Sequence, residues 1–356
     1  MKIGEIIKKL RKEANVTQEK LADYLGITYQ AVSKWENGSA LPDITLVVPL
    51  ANFFNVNVNR FFAHNEEENI DKITAYQDQG HTYANMGNTQ ARVTLMRKAL
   101  AEFPRNYDIM LSLAYAISSN SAKTRTDEDD HNEIIILCER ILEDCTNSRI
   151  RDDAIQLLCS SYPATGQREK AIKLAQNATS MVVSSQMLLT RAYERGSDDY
   201  IQNIQRTILD MLDFLCDDLL CLARHGDLMT HERILHAEAA IKLFETIFYD
   251  GNLLFYHCRV SLLYRYLATW YMQKDIDKAM KCLLQSEKHA IAHDTIPDGD
   301  IHYTTVFLNK EIHNNARTSK SHINTEKDWL REYIKHEVFT PLYEHDDFIA
   351  LKARLS

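Results

Sequence analysis

Residues 17–38, TQEKLADYLGITYQAVSKWENG, constrain the fold more than any other stretch, because they spell two short helices around a tight turn. Thr17 is a good N-cap, its hydroxyl able to accept from an unpaired first-turn N–H, and Glu19 stands near the positive end of the helix dipole. Leu21, Ala22 and Leu25 form the inner face of that helix, and Gly26 closes it with an expected positive φ. Thr28 caps the next helix, TYQAVSKWE, whose inner face is Val32 and Trp35. Its outward face carries Tyr29, Gln30, Ser33 and Lys34, a polar, medium-sized set rich in hydrogen-bond donors.

Helical patterns flank this pair. Ile3, Ile6, Ile7 and Leu10 make an apolar stripe through IGEIIKKLRKE, with Lys8, Lys9, Arg11 and Lys12 on the other side and Asn15 as the stop. LPDITLVVPLANFF predicts a fourth helix with Leu46, Val47, Leu50, Ala51 and Phe54 inward, starting late near Val48 or bending at Pro49. A short fifth helix is expected over 57–62, sealing the bundle with Val58, Phe61 and Phe62. The polar, acidic AHNEEEN, residues 63–69, is the expected boundary, giving domains 1–64 and 65–356.

Beyond it the chain remains helical in pattern. Only 10 glycines and 6 prolines occur in 356 residues, and no alternating β-branched run is long enough to force a sheet, so the fold class is all-α. One spacing recurs three times: an aromatic, a turn position four residues on, then small residues. Leu158, Tyr162, Gly166, Ala171 and Ala178 are the clearest copy. Tyr83, Gly87, Met96, Ala99 and Pro104 form a second, with Arg92 where Ala is expected, and Trp270, Ala279, Leu283 and Ser286 a third, with Lys274 at the turn. The spacings resemble the tetratricopeptide repeat, a helix hairpin of about 34 residues, over part of the body. TRTDEDDHNE, residues 124–133, reads as a charged loop or helix start, and HDTIPDGD, residues 293–300, as a break between helices.

The formal net charge of -9 is unevenly spread: residues 1–64 carry eight Lys/Arg and six Asp/Glu, a net of +2, leaving -11 for the remainder. A mildly basic unit on an acidic body suits contact with polyanionic DNA by the first part alone. MKIGEIIKKL lacks an apolar stretch of signal-peptide length and no later segment reaches the roughly 20 apolar residues of a membrane span, so a soluble, cytoplasmic protein without membrane partners is expected. Seven cysteines without a CxxC, mostly at apolar helical positions, read as buried reduced thiols.

Two helices at this spacing meet the demand of a helix-turn-helix, whose first helix braces on the sugar-phosphate backbone while the second offers side chains to base edges. Thr17-Gln18, Leu21-Ala22, Gly26, Val32-Ser33-Lys34-Trp35-Glu36-Asn37-Gly38, Pro42-Asp43 and Leu50-Ala51 coincide in order. In these features residues 3–62 resemble the phage-repressor and Cro-like (Xre-type) DNA-binding domains, five-helix bundles of the lambda-repressor kind. The resemblance implies that Gln18 holds a phosphate, that Tyr29, Gln30 and Lys34 face bases, that Ser33 and Asn37 touch backbone, and that Thr28 belongs to the DNA-facing set. Tyr29 departs from the small polar residues common at its position. Gln can bond adenine N6 and N7 together, and Lys can reach guanine O6 and N7. The resemblance also implies a structural ion pair between Arg11 and Glu36 beneath the DNA surface.

The expected activity is sequence-specific transcriptional control, by default repression, from a homodimer on two-fold double-stranded DNA, with a helical-repeat body that senses a peptide, small molecule or protein. Three rivals stay open: a head that has lost DNA binding and serves as a partner module, an interaction protein whose DNA binding is autoregulatory, and an enzyme whose only support is the pair His289 and His293. The aromatic-rich stretch 247–271 is the candidate lining of an effector pocket, with Tyr256, Tyr264, Arg265 and Trp270 named, although helix hairpins also use rings as packing. His289 and His293 share a helical face at i, i+4, but no HExxH glutamate accompanies them, so no metal or other cofactor is expected. No Walker loop, GxSxG or GxGxxG points to an enzyme.

Overall fold

The computed structural model describes residues 3–119, 128–315 and 324–356, the side chains of 63–67 excepted. Residues 124–127 of the charged stretch lie outside the described residues, and Glu128 already opens a helix. The chain divides into two compact units, Met1–His81 with Thr94–Ser112, and Thr82–Val93 with Leu113–Ser356.

In the first unit α1 (Ile3–Glu13), α2 (Gln18–Leu25), α3 (Tyr29–Glu36) and α4 (Ile44–Phe54) close around Ile7, Leu21, Val32, Trp35, Leu50 and Phe61, with Trp35 only 5% exposed. The apolar positions of each helix fall on one stripe, so each buries that stripe and keeps its charges outside. α4 starts at Ile44 rather than near Val48. Asp43 caps it, accepting from the Thr45 backbone N–H at 2.9 Å and the Thr45 hydroxyl at 2.6 Å. Pro49 is accommodated inside the helix, where it removes one backbone donor. The expected fifth helix is instead a single 3-10 turn, Val58–Phe61, capped by Asn57. Phe61 is buried there, whereas Phe62 is 41% exposed and does not seal the bundle. The backbone continues as α5 (Ala63–Asn85), so the segment placed at the domain boundary is helical.

The remaining helices are α6 (Thr89–Glu102), α7 (Tyr107–Ser118), α8 (Glu128–Asp144), α9 (Ser148–Ala164), α10 (Arg168–Gln176), α11 (Ser185–Ala192), α12 (Asp198–His225), α13 (Thr230–Ile247), α14 (His257–Tyr271), α15 (Ile276–Asp294), α16 (Glu326–Tyr333) and α17 (Asp346–Leu355). In the second unit successive helices pack on one another, α8 on α9, α9 on α10, α12 on α13, α13 on α14 and α14 on α15. These are the helical hairpins the repeat spacing implies. Gly166 and Gly87 turn the chain with φ of 76° and 67°, and Asp275 caps α15 just after the Lys274 turn. Small residues permit close approach in the α14–α15 pair: Ala268, Ala279 and Ser286 are fully buried, and Ser261 and Ser286 hydrogen-bond reciprocally, each hydroxyl to the other's carbonyl, at 3.1 and 3.0 Å. Ala178 of the clearest copy is exposed.

The all-α expectation has one small exception. After α15 ends at Asp294, strands β1 (Asp300–His302) and β2 (Ile312–Asn314) pair antiparallel, with Ile301 opposite His313. Three residues per strand are too few for an alternation to show in sequence. Among the described cysteines, Cys138, Cys145, Cys216 and Cys282 are buried thiols, whereas Cys221 is exposed.

Candidate nucleic-acid interface

The two caps read from the sequence are formed. Thr17 Oγ1 accepts from the Lys20 N–H at 3.2 Å and Thr28 Oγ1 from the Ala31 N–H at 3.3 Å. Between them Gly26 adopts φ 67°, the left-handed conformation that lets α2 stop and α3 start within three residues. Val32 and Trp35 are buried against α1 and α2, which fixes the rotation of α3 and turns Tyr29, Gln30, Lys34 and Asn37 to solvent. Thr28 is exposed at the cap and Ser33 half-buried. Among the described residues of α3 the one carboxylate, Glu36, points inward, so the outward face is free of acid that would repel phosphate.

Glu36 instead holds the frame. Its buried carboxylate takes Arg11 Nε at 2.5 Å and Arg11 Nη2 at 2.8 Å, a bidentate pair joining α1 to α3, while Arg11 Nη1 donates to the Val16 carbonyl at 2.7 Å. Gln18 Nε2 adds a third donor to Glu36 at 2.8 Å, tying the head of α2 into the same network. Burial alone would raise the Glu36 pKa, but hydrogen bonds from Arg11 and Gln18 bring it below the usual carboxylate value. Gln18 is thus half-buried and oriented, beside an open cleft of about 410 Å³ lined also by Arg11, Lys12 and Thr17. Asn37 Oδ1 is engaged by the Ser39 N–H at 3.0 Å and by the Ser39 hydroxyl, which leaves its amide NH₂ outside that turn.

Sequence reasoning passed over Gly4. A Cβ there would stand 1.7 Å from the Trp35 carbonyl oxygen, so α1 and α3 touch backbone to backbone at this point. A glycine interrupting an otherwise regular apolar stripe was the available signal.

The helix-turn-helix family matches residues 7–61. Over 66 residues the chain is 33% identical to an HTH-type transcriptional regulator of Archaeoglobus fulgidus, spanning 93% of that protein and 18% of this one. This chain belongs to the helix-turn-helix transcriptional regulators. It is also 33% identical over 66 residues to the HTH-type transcriptional activator BcrR of Enterococcus faecalis, and 39% over 56 residues to the prophage-derived regulator YonR of Bacillus subtilis, covering 18% and 16% of its own length. The regulator spans 32% of the first and 52% of the second, about a third and a half of their lengths. Among solved structures it has a loose likeness to Bacillus thuringiensis PlcR in complex with the peptide PapR7 and DNA, at 13% identity and a TM-score of 0.30, over 81% of this chain and 94% of that one.

The four residues named for an effector pocket do not converge in the regulator's body. Arg265 is buried and paired with Glu326 at 3.1 Å, its guanidinium over the Tyr333 ring, and Trp270 is buried with its ring stacked on Tyr266. Tyr256 packs among Phe244, Phe248 and Phe255. These three are core, because rings and an internal ion pair fill the space between helices. Tyr264 alone of the four lines the two openings beside α14, of about 340 and 260 Å³. Nor do His289 and His293 act together: His289 Nδ1 meets His257 Nδ1 at 2.8 Å on the facing helix, while His293 turns to Asp294. No cluster of three or more metal-ligating side chains exists among the described residues.

Proposed function

We propose that residues 1–64 read a two-fold operator in double-stranded DNA as one head of a homodimer, and that residues 65–356 dimerise the protein and sense a peptide, small molecule or protein effector. The observation that carries this reading is the outward face of α3: Tyr29, Gln30 and Lys34 are exposed on a helix whose rotation is locked by Trp35 and the Glu36 network. Gln30 and Lys34 supply base contacts, Tyr29 lies against a thymine methyl, and Gln18, Ser33, Asn37 and the Thr28 cap fix register on the sugar-phosphate chain. Two-fold symmetry then sets half-sites about 34 Å apart or a multiple of it. Binding without chemistry, in the cytoplasm, suffices for this role, and occlusion of a promoter is its simplest outcome; reporter transcription with and without the protein fixes the sign. No helix among the described residues is long and apolar enough to cross a membrane.

Selection of bound sequences from random duplex DNA, with the full chain at low salt, tests the reading. An enriched two-fold motif is expected; no enrichment would mean a head that no longer reads DNA. Gln30→Ala should then cost about 1–3 kcal/mol and relax preference at one base pair in each half-site. A uniform loss across all sequences would put Gln30 on the backbone and refute its assignment as a base reader.

A further inference from the structure

The smaller opening beside α14, about 260 Å³, lies wholly within the second unit. Its walls are apolar and ringed, with Phe248, Tyr249 and Tyr264 among them, and its polar side is His257, His289, Lys288 and Glu245. The histidines are the unusual part. Their Nδ1 atoms are 2.8 Å apart, and Tyr264 stacks on His289 with ring centroids at 5.8 Å and planes 27° apart. A contact of that length between two imidazoles requires one Nδ1 to donate and the other to accept. In the neutral pair, therefore, one Nε2 carries a proton and the other is bare.

The charged groups facing the pair leave it without a counterion. On α15, Lys288 and His293 act on it with the sign of the charge that a proton would add, and Tyr264 on α14 contributes a ring face. Glu245 on α13, exposed at the edge of the opening, is the one carboxylate lining it. Burial and these neighbours hold both imidazoles neutral, each pKa lowered to about 4. A cavity lined by rings, two imidazoles and an ammonium suits a flat apolar molecule ending in an anion.

We propose that this cavity binds a small aromatic carboxylic acid as its carboxylate, and that binding draws one proton from solvent onto the His257–His289 pair. The proton goes to the bare Nε2 of the imidazole that donates through Nδ1; the pair becomes an imidazolium hydrogen-bonded to an imidazole, and both Nε2 atoms then carry N–H groups. The ligand's negative charge balances the proton taken up. As the effector site of the regulator, this rests on the reading of the body as a sensor; the binding experiment contains no DNA, so the two fail separately.

The test is calorimetric titration of the full chain with benzoate, 2-naphthoate and indole-3-acetate, in two buffers of different ionisation enthalpy, with the matching amides as neutral controls. At least one acid should bind, with a buffer-dependent enthalpy reporting uptake that approaches one proton, and with affinity weakening about tenfold per pH unit between the free and bound pKa values of the pair. His289→Gln should abolish the uptake, and the matching amides should draw no proton with either protein. Because that variant could misfold, the imidazole Cε1–H resonances of the unaltered protein are followed against pH: the bound acid must move their titration from about 4 toward neutrality. Failure of all three acids to bind at millimolar concentration, or binding with no proton uptake and unchanged imidazole titration, overturns the proposal.

Discussion

Gly4 has no side chain because the Trp35 carbonyl occupies the place a Cβ would take, 1.7 Å away. Helix propensity alone would favour Gly4→Ala by about 1 kcal/mol, whereas forcing two helix backbones apart costs about 1–3 kcal/mol or more. The tertiary effect should win, so urea unfolding of Gly4→Ala should show a net loss of stability; a gain would mean α1 and α3 are not in backbone contact. Glu36 works by the opposite logic, since it is costly to bury and is kept because three donors meet it. Glu36→Ala strands the Arg11 guanidinium, only 13% exposed, and should cost about 3–5 kcal/mol by the same measurement. Losing Glu36 also frees Gln18, so DNA affinity should fall in whatever fraction remains folded.

In the α14–α15 pair the packing that holds the hairpin together also builds the histidine contact. Ser261, Ala268, Ala279 and Ser286 bring the helices close, and the same approach brings His257 against His289. Both imidazoles have folded pKa values of about 4, below the ordinary value of 6.5 that the unfolded chain would show. Between those values the unfolded state binds more protons than the native one, so stability falls as pH falls from about 6.5 toward 4 and is level, as far as this pair is concerned, above it. Thermal melts across that window should show a steeper decline for the unaltered protein than for a variant carrying both His257→Gln and His289→Gln. Equal slopes would place the two side chains in solvent.

Across the whole molecule, charge is unevenly divided: net +2 over residues 1–64 against -11 over the rest. Under the proposed function, phosphate contacts come from the basic head, so binding should be salt-dependent without recruiting the acidic body. If the proposed dimer neutralises about four phosphates, raising salt from about 50 to 200 mM should weaken binding roughly a hundredfold. Fluorescence anisotropy on the selected operator measures it, and a flat salt response would exclude the head as an electrostatic anchor.

What the sequence determined by itself was local. Thr17, Gly26 and Thr28 are caps and a turn whose chemistry is complete within a few residues, and the stripe through Ile6, Ile7 and Leu10 declares its own inner face, so the bundle and the outward set of α3 are legible in the sequence itself. The 57–62 segment was misjudged because a single turn has too little periodicity to distinguish 3-10 from α. Of the two readings of α4, the late start near Val48 fails, because Asp43 caps the helix ahead of Pro49 and opens it at Ile44. The tertiary structure alone decided pairings between distant residues. It put Arg265 on Glu326, 61 positions away, and so removed it from the pocket for which its aromatic neighbours had suggested it. It set His289 against His257, 32 positions earlier, rather than beside His293 on its own helix. Sequence spacing reports neighbours along one helix; which helix faces which, and therefore which polar groups must satisfy one another out of water, is fixed only when the cores close.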